Sequence, residues 1–183
     1  MKFNFESFLK EEEQKDYFIS IFDYLEKHPT YFPSKENIFN AFKNFDYDNL
    51  KIIIIGQDPY ATKGYADGLC FSTKSLVRPK SLTNIFNEIN YSYPNVTFES
   101  NNLSSWKNQG ILLINSILTV NENEPLSHNK IGWQTFTLNL LQKLNWDCTK
   151  FCVKFEILSL IDKIFIKKGF LFYEKETSKS NYR

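Results

Sequence analysis

The chain has 183 residues, 42% of them apolar and 23% charged, with 22 Lys plus Arg set against 21 Asp plus Glu for a net charge of +1. A single domain of this size buries roughly 70% of the surface its unfolded form exposes, and 18 Phe supply large side chains for a core, so disorder is excluded for the whole. Near-neutral charge excludes a globally basic protein that coats nucleic acid, and any polyanion must be held locally.

Met1 to Lys10 mixes charges with aromatics and has no apolar leader segment. Phe18, Ile21, Phe22 and Leu25 then recur at three- and four-residue steps, which predicts a helix ending near Lys27 and His28, before Pro29. Thr30 to Ser34 reads as a loop entering a short helix over Asn37 to Asn44. Lys51 to Ile55 changes the period. Four isoleucines bounded by Gly56 are β-branched and apolar on both faces, the pattern of a buried parallel strand. Gly110 to Ile114, ending at Asn115, is a second such strand, and Leu82, Ile85, Phe86 and Ile89 form a helical stripe between them. Strand, helix, strand implies a parallel sheet.

Asn121 to Gly132 is turn-like, and Trp133, Phe136, Leu140, Leu141 and Leu144 form another helical stripe. The fold class expected is α/β, a three-layer α/β/α domain with a central parallel sheet, incomplete at its C-terminal end, in one domain over residues 1–183. Beyond Leu144, Phe155 to Phe165 can form a helix and Phe170 to Tyr173 a strand, with a frayed polar end from Glu174 to Arg183.

Cys70, Cys148 and Cys152 are odd in number and lack secreted-domain spacing, so reduced packing thiols and a cytoplasmic location are expected. With His28 and His128 the only histidines and no second cysteine pair, no metal site or cofactor is expected. Apolar runs as short as Ile52 to Ile55 span no bilayer.

In open parallel sheets, ligands bind beyond the carboxyl ends of the strands. Gly56-Gln57-Asp58-Pro59-Tyr60 follows the first strand and Asn115 ends the second. Pro59 keeps Asp58 on extended backbone. Each residue also has a plain explanation: Asp before Pro is common turn chemistry, Asn often closes a strand, and Tyr60 or Phe71 can be core. Together they mark a pocket for a small molecule or a base, of unspecified identity.

The string Ile53-Ile54-Ile55-Gly56-Gln57-Asp58-Pro59-Tyr60, followed by Gly68-Leu69-Cys70-Phe71-Ser72, resembles the signature of the uracil-DNA glycosylase family. Further blocks agree in order: Ile38 to Phe42, Arg78 to Leu82, Leu112 to Asn115 with Leu118 to Val120, and Ser127-His128 with Gly132-Trp133 and Phe136-Thr137. The resemblance covers about residues 30 to 144. It implies base-excision repair: hydrolysis of the N-glycosidic bond of deoxyuridine in DNA after base flipping, by a monomer without metal or cofactor. It further implies Asp58 as the catalytic carboxylate, Phe71 as the stacking face, and Asn115 as the amide that tells uracil from cytosine. Tyr60 would block thymine, Gln57 would contribute polar contacts, and Lys80 and Ser81 would hold DNA phosphate.

Two positions depart from the family pattern, which has His where this chain has Ala61 and Asp67, and both changes bear on phosphate contacts. After Leu144 neither the family's Trp-Gly strand end nor its His-Pro-Ser-Pro-Leu-Ser loop is found, and neither His28 nor His128 aligns with that loop. Losing one such donor costs about 10²- to 10³-fold in rate. The tail is either a diverged segment that still supplies outer strands or the product of a reading-frame change near Leu144, and the abrupt stop favours the second. The expected function is therefore a uracil-DNA glycosylase of reduced activity. The alternative is an inactive remnant that at most binds DNA or a protein partner.

Overall fold

The computed structural model of the chain describes residues 3–144 and, as backbone alone, the strand at 152–154. In chain order the elements are helices α1 (Phe5–Glu12) and α2 (Asp16–Lys27), strands β1 (Tyr31–Phe32) and β2 (Ile52–Gly56), and helices α3 (Lys80–Ser92) and α4 (Ser104–Asn108). Strands β3 (Ile111–Asn115) and β4 (Val120–Asn121), helix α5 (Trp133–Lys143) and strand β5 (Cys152–Lys154) follow. Among the described residues no helix is long and apolar enough to cross a membrane.

The sheet that positions the site has the order β3-β2-β5, with both pairings parallel. The register runs from Ile52 opposite Ile111 to Gly56 opposite Asn115. Because β2 is paired along both edges and covered on both faces, a run of isoleucines fits it, as a parallel sheet demands. The pleat divides these side chains between two cores. Ile53, Ile55, Leu112 and Ile114 pack with Phe8, Phe18, Ile21, Phe136 and Leu140 of α1, α2 and α5. Ile54 and Leu113 pack with Leu82 and Phe86 of α3, and with Leu103. This is the three-layer α/β/α arrangement. Each core is aromatic: Phe5 stacks on Phe42 at 4.2 Å between centroids, and Phe86 on Phe98 at 3.8 Å. Burying one such ring contributes about 1.5–3 kcal/mol.

Helix ends follow local chemistry. Asn4 caps α1, its side-chain oxygen accepting from the Ser7 amide at 2.8 Å. At the end of α2 the His28 amide donates to Tyr24 and its ring Nδ1 lies 2.9 Å from the same carbonyl, before Pro29.

Two segments differ from the sequence reading. The expected helix over Asn37 to Asn44 is a 3-10 turn at Lys35–Asn37 followed by further turns, with bonds that span three residues, such as Asn40 to Asn37 and Phe42 to Phe39. Distant groups set this tighter winding. Lys107 of α4 donates to the carbonyls of Asn40 and Lys43 at 2.9 and 2.7 Å, and the Asn40 amide reaches the Asp67 carbonyl at 2.7 Å. Second, the Thr30 to Ser34 loop contains β1, which pairs antiparallel with β4. The helix over Phe155 to Phe165, the strand at Phe170 to Tyr173, the frayed end and Cys148 lie outside the described residues.

Candidate active site

The carboxyl ends of β2 and β3 are locked together beyond the last paired residues. The Gly56 carbonyl accepts from the Ser116 amide at 2.9 Å, and the Gln57 carbonyl accepts from the Ile117 amide and the Ser116 hydroxyl, both at 3.0 Å. Asp58 therefore leaves the sheet at a fixed point, with Pro59 buried behind it. Across the register, Asn115 is only 7% exposed, and Gly56 makes room for it: a Cβ at Gly56 would collide with Asn115 Oδ1 and lie 3.0 Å from Cys70 Cβ. Among the described residues the Asn115 side-chain amide has no hydrogen-bond partner within the protein, and it borders a cavity of about 680 Å³, within the usual range for a ligand site.

Gln57, Asp58, Tyr60, Phe71, Ser81 and Asn115 all line that cavity, whereas Lys80, exposed in the first turn of α3, does not. The Tyr60 hydroxyl donates to the Phe71 carbonyl at 3.1 Å, which leaves Ser81 to donate to Tyr60 across 2.8 Å. Burial pushes the Tyr60 hydroxyl up to about 12, so it remains a donor. Phe71 has a φ of 60°, the left-handed region, which a bulky residue enters only under constraint. The Gln57 carbonyl is used within the protein, which leaves its exposed side chain for a ligand.

Asp58 is half-buried. Its Oδ2 accepts from the Leu126 amide at 2.7 Å. Burial raises its carboxyl above the ordinary value, and the Leu126 hydrogen bond partly offsets this by favouring the ionised form. The Leu126 amide is delivered by a turn between β4 and α5 that holds two non-glycine residues at positive φ, Asn123 at 59° and Leu126 at 63°. The same turn touches the Asp58 loop again where the Asn123 amide donates to the Ala61 carbonyl at 2.9 Å.

A buried relay braces this turn. Trp133 Nε1 donates to Thr119 Oγ1 at 2.6 Å, Thr119 faces His128 Nδ1 at 2.8 Å, and His128 Nε2 faces Asn121 Oδ1 at 2.8 Å. Asn121 Oδ1 can only accept, so in the neutral ring the proton sits on Nε2, and the Thr119 hydroxyl accepts from Trp133 and donates to Nδ1. Burial, with His28 nearby, lowers His128 to about 4.

The sequence named the strand-end residues but missed Leu126, whose backbone amide carries no residue-type signal. It also misplaced one departure. Asp67 is buried, and both its oxygens are taken inside the protein by the Leu69 amide, the Ser72 hydroxyl and the Asn102 side chain, so it is no phosphate contact. Ala61 borders the cavity. Among the described residues no group of His, Cys, Asp and Glu is placed to hold a metal ion.

The family model for the uracil DNA glycosylase superfamily matches residues 42–158, a span that continues past Leu144 and takes in β5. A uracil-DNA glycosylase of Mesomycoplasma hyopneumoniae is 47% identical over 143 residues, covering 76% of this chain and 65% of that protein. One from Mycoplasmopsis pulmonis is 46% identical over 141 residues, covering 75% and 64%. The chain thus spans about 65% of the length of these relatives. Among solved structures, mimivirus uracil-DNA glycosylase superposes with a TM-score of 0.72 at 28% identity, over 84% of this chain and 68% of that one.

Proposed function

Since the chain belongs to the uracil-DNA glycosylase superfamily, we propose that it hydrolyses the N-glycosidic bond of deoxyuridine in DNA, releasing free uracil and leaving an abasic site. The observation that carries this reading is the convergence of Asp58 and Asn115, from the ends of two adjacent parallel strands, on one cavity that also holds Phe71.

The base leaves the stack, at a cost of a few kcal/mol in a duplex, and enters the cavity with one face on Phe71. Asn115 donates its amide NH₂ to O4 and accepts from N3–H, a pattern that cytosine reverses. Tyr60 stands against position 5 and excludes a methyl group there. As the bond between C1′ and N1 breaks, the electron pair leaves with uracil and positive charge develops on the sugar. The Asp58 carboxylate stabilises that charge and orients the water that adds to C1′. The Leu126 amide holds the carboxylate ionised and aimed. The Ser81 backbone amide and the Lys80 side chain, in the first turn of α3, take a phosphate beside the extruded nucleotide, a contact that positions the strand without reading sequence. No metal or cofactor takes part. We propose that the active species is a cytoplasmic monomer, on its cysteine usage and on a cavity to which both strand ends of one chain contribute, with the domain running over residues 1–183.

The deciding experiment is uracil release from single- and double-stranded oligonucleotides, with a chelator present, by the wild type and Asp58→Ala. Release by the wild type alone is expected, with Asp58→Ala lower by at least about 10²-fold. Equal rates for the two proteins would leave only the reading of an inactive DNA- or protein-binding remnant. Sedimentation at working concentration checks the monomer.

A further inference from the structure

Phe71 lines the cavity from a backbone at φ 60°, a conformation that persists only when the surroundings over-determine it. The Tyr60 hydroxyl on the Phe71 carbonyl and the Cys70 amide on the Leu113 carbonyl hold the middle of the turn, and its two ends converge on one buried carboxylate. Asp67, 5% exposed, accepts from the Leu69 amide through Oδ1 at 3.1 Å. Through Oδ2 it accepts from the Ser72 hydroxyl at 2.6 Å and the Asn102 side chain at 2.9 Å. The Ser72 oxygen in turn accepts from the Leu103 amide at 3.0 Å. A single side chain thus grips the turn on both sides of Cys70 and Phe71, and ties it through Asn102 to the segment leading into α4. The turn has little slack elsewhere. A Cβ at Gly68 would collide with the Asn37 carbonyl, and Ser72 sits at 0% exposure.

We propose that Asp67 is a positioning residue for base binding: it holds the turn 69–72 in the left-handed form that presents the Phe71 ring to the uracil. The proposal rests on the glycosylase reading, and it adds a residue that touches neither base nor sugar. Stacking on Phe71 is made by bound substrate and by released uracil alike, so loosening the turn weakens binding of both and leaves the bond-breaking step, governed by Asp58, nearly intact.

The test compares wild type, Asp67→Asn, Phe71→Ala and the double variant, measuring kcat and KM for uracil release and titrating free uracil by calorimetry. Asp67→Asn is expected to raise KM and the Kd of uracil roughly tenfold, with kcat within about threefold. The double variant should bind uracil no more weakly than Phe71→Ala alone, because Asp67 acts through that ring. Asn102→Ala, which removes one outer bond, should give a smaller shift in the same direction and serves if Asp67→Asn does not fold. An unchanged Kd in Asp67→Asn, or losses that multiply in the double variant, would overturn the proposal. A wild type that binds uracil without releasing it from DNA refutes the glycosylase reading separately, and the calorimetric comparison still decides the role of Asp67. Absence of uracil binding by the wild type refutes both.

Discussion

Burial and the catalytic role proposed for Asp58 pull on it in opposite directions. Its folded carboxyl is raised above the ordinary value by loss of water. Below that ordinary value both the folded and unfolded states are protonated, and no penalty exists. As pH rises the unfolded chain ionises first, and stability is lost through the folded pKa, the loss being complete above it. Asp58→Asn keeps an acceptor for the Leu126 amide and removes the charge. It should therefore show a higher Tm than wild type at pH 7, a difference that closes toward pH 3, while uracil release falls by at least about 10²-fold. Thermal melts at the two pH values check this, and a lower Tm at pH 7 would contradict it. In the wild type the acid limb of kcat/KM should lie above the ordinary aspartate value. Gly56 makes a second case. Gly56→Ala puts a methyl group where Asn115 Oδ1 lies, so the strain of overpacking, about 1–3 kcal/mol, should lower Tm by about 2–10 °C. The displaced amide should reduce kcat/KM at least about tenfold, and an unchanged kcat/KM would show that the amide had not moved.

Two elements owe their shape to one ionisable side chain each. The winding at residues 38–44 depends on Lys107, whose ammonium bridges two carbonyls. Lys107→Met should destabilise the protein by about 1–3 kcal/mol, read by urea denaturation at pH 7. The turn that delivers the Leu126 amide depends on neutral His128. Its pKa falls from 6.5 in the unfolded chain to about 4 on burial, so only the unfolded state takes up the proton between those values. Stability is full above 6.5 and falls as pH drops toward 4, by on the order of 3 kcal/mol. His128→Gln should flatten that part of the stability profile, and the wild-type slope surviving in the variant would assign it to other groups. These two elements also mark where sequence reading ran out. Strands β2 and β3 and helices α2, α3 and α5 were legible, because each declares itself through its own periodicity. The 38–44 turns, the β1–β4 pair and the strained backbone at Leu126 were not, because their cause is a hydrogen bond to a residue remote in sequence, and the strain at Phe71 was not, because it depends on which way a neighbouring side chain turns. For the same reason the cavity-lining side chains were readable as types at strand ends, whereas the amide on Asp58 and the inward turn of Asp67 were not.

At the scale of the whole molecule, β2 is the strand on which everything else is hung, paired by β3 on one edge and β5 on the other. The family match continues to residue 158, so the segment carrying β5 belongs to the domain. This favours a diverged tail that still supplies a strand. A chain ending at Leu144 would leave one edge of four isoleucines without a partner, an open template for association. That truncated protein should sediment as aggregates at concentrations where the full chain does not, and a well-behaved truncated monomer would argue that β5 is dispensable. The register of the β2–β3 pair has a wider consequence. Under the proposed glycosylase reading, Gly56 opposite Asn115 would set, in one alignment of two strands, both where a base is read and where its sugar is cut. A base that could not reach the amide would not bring its anomeric carbon to the carboxylate two residues away, so discrimination and cleavage would share one ruler, and fidelity would be a matter of length as much as of affinity.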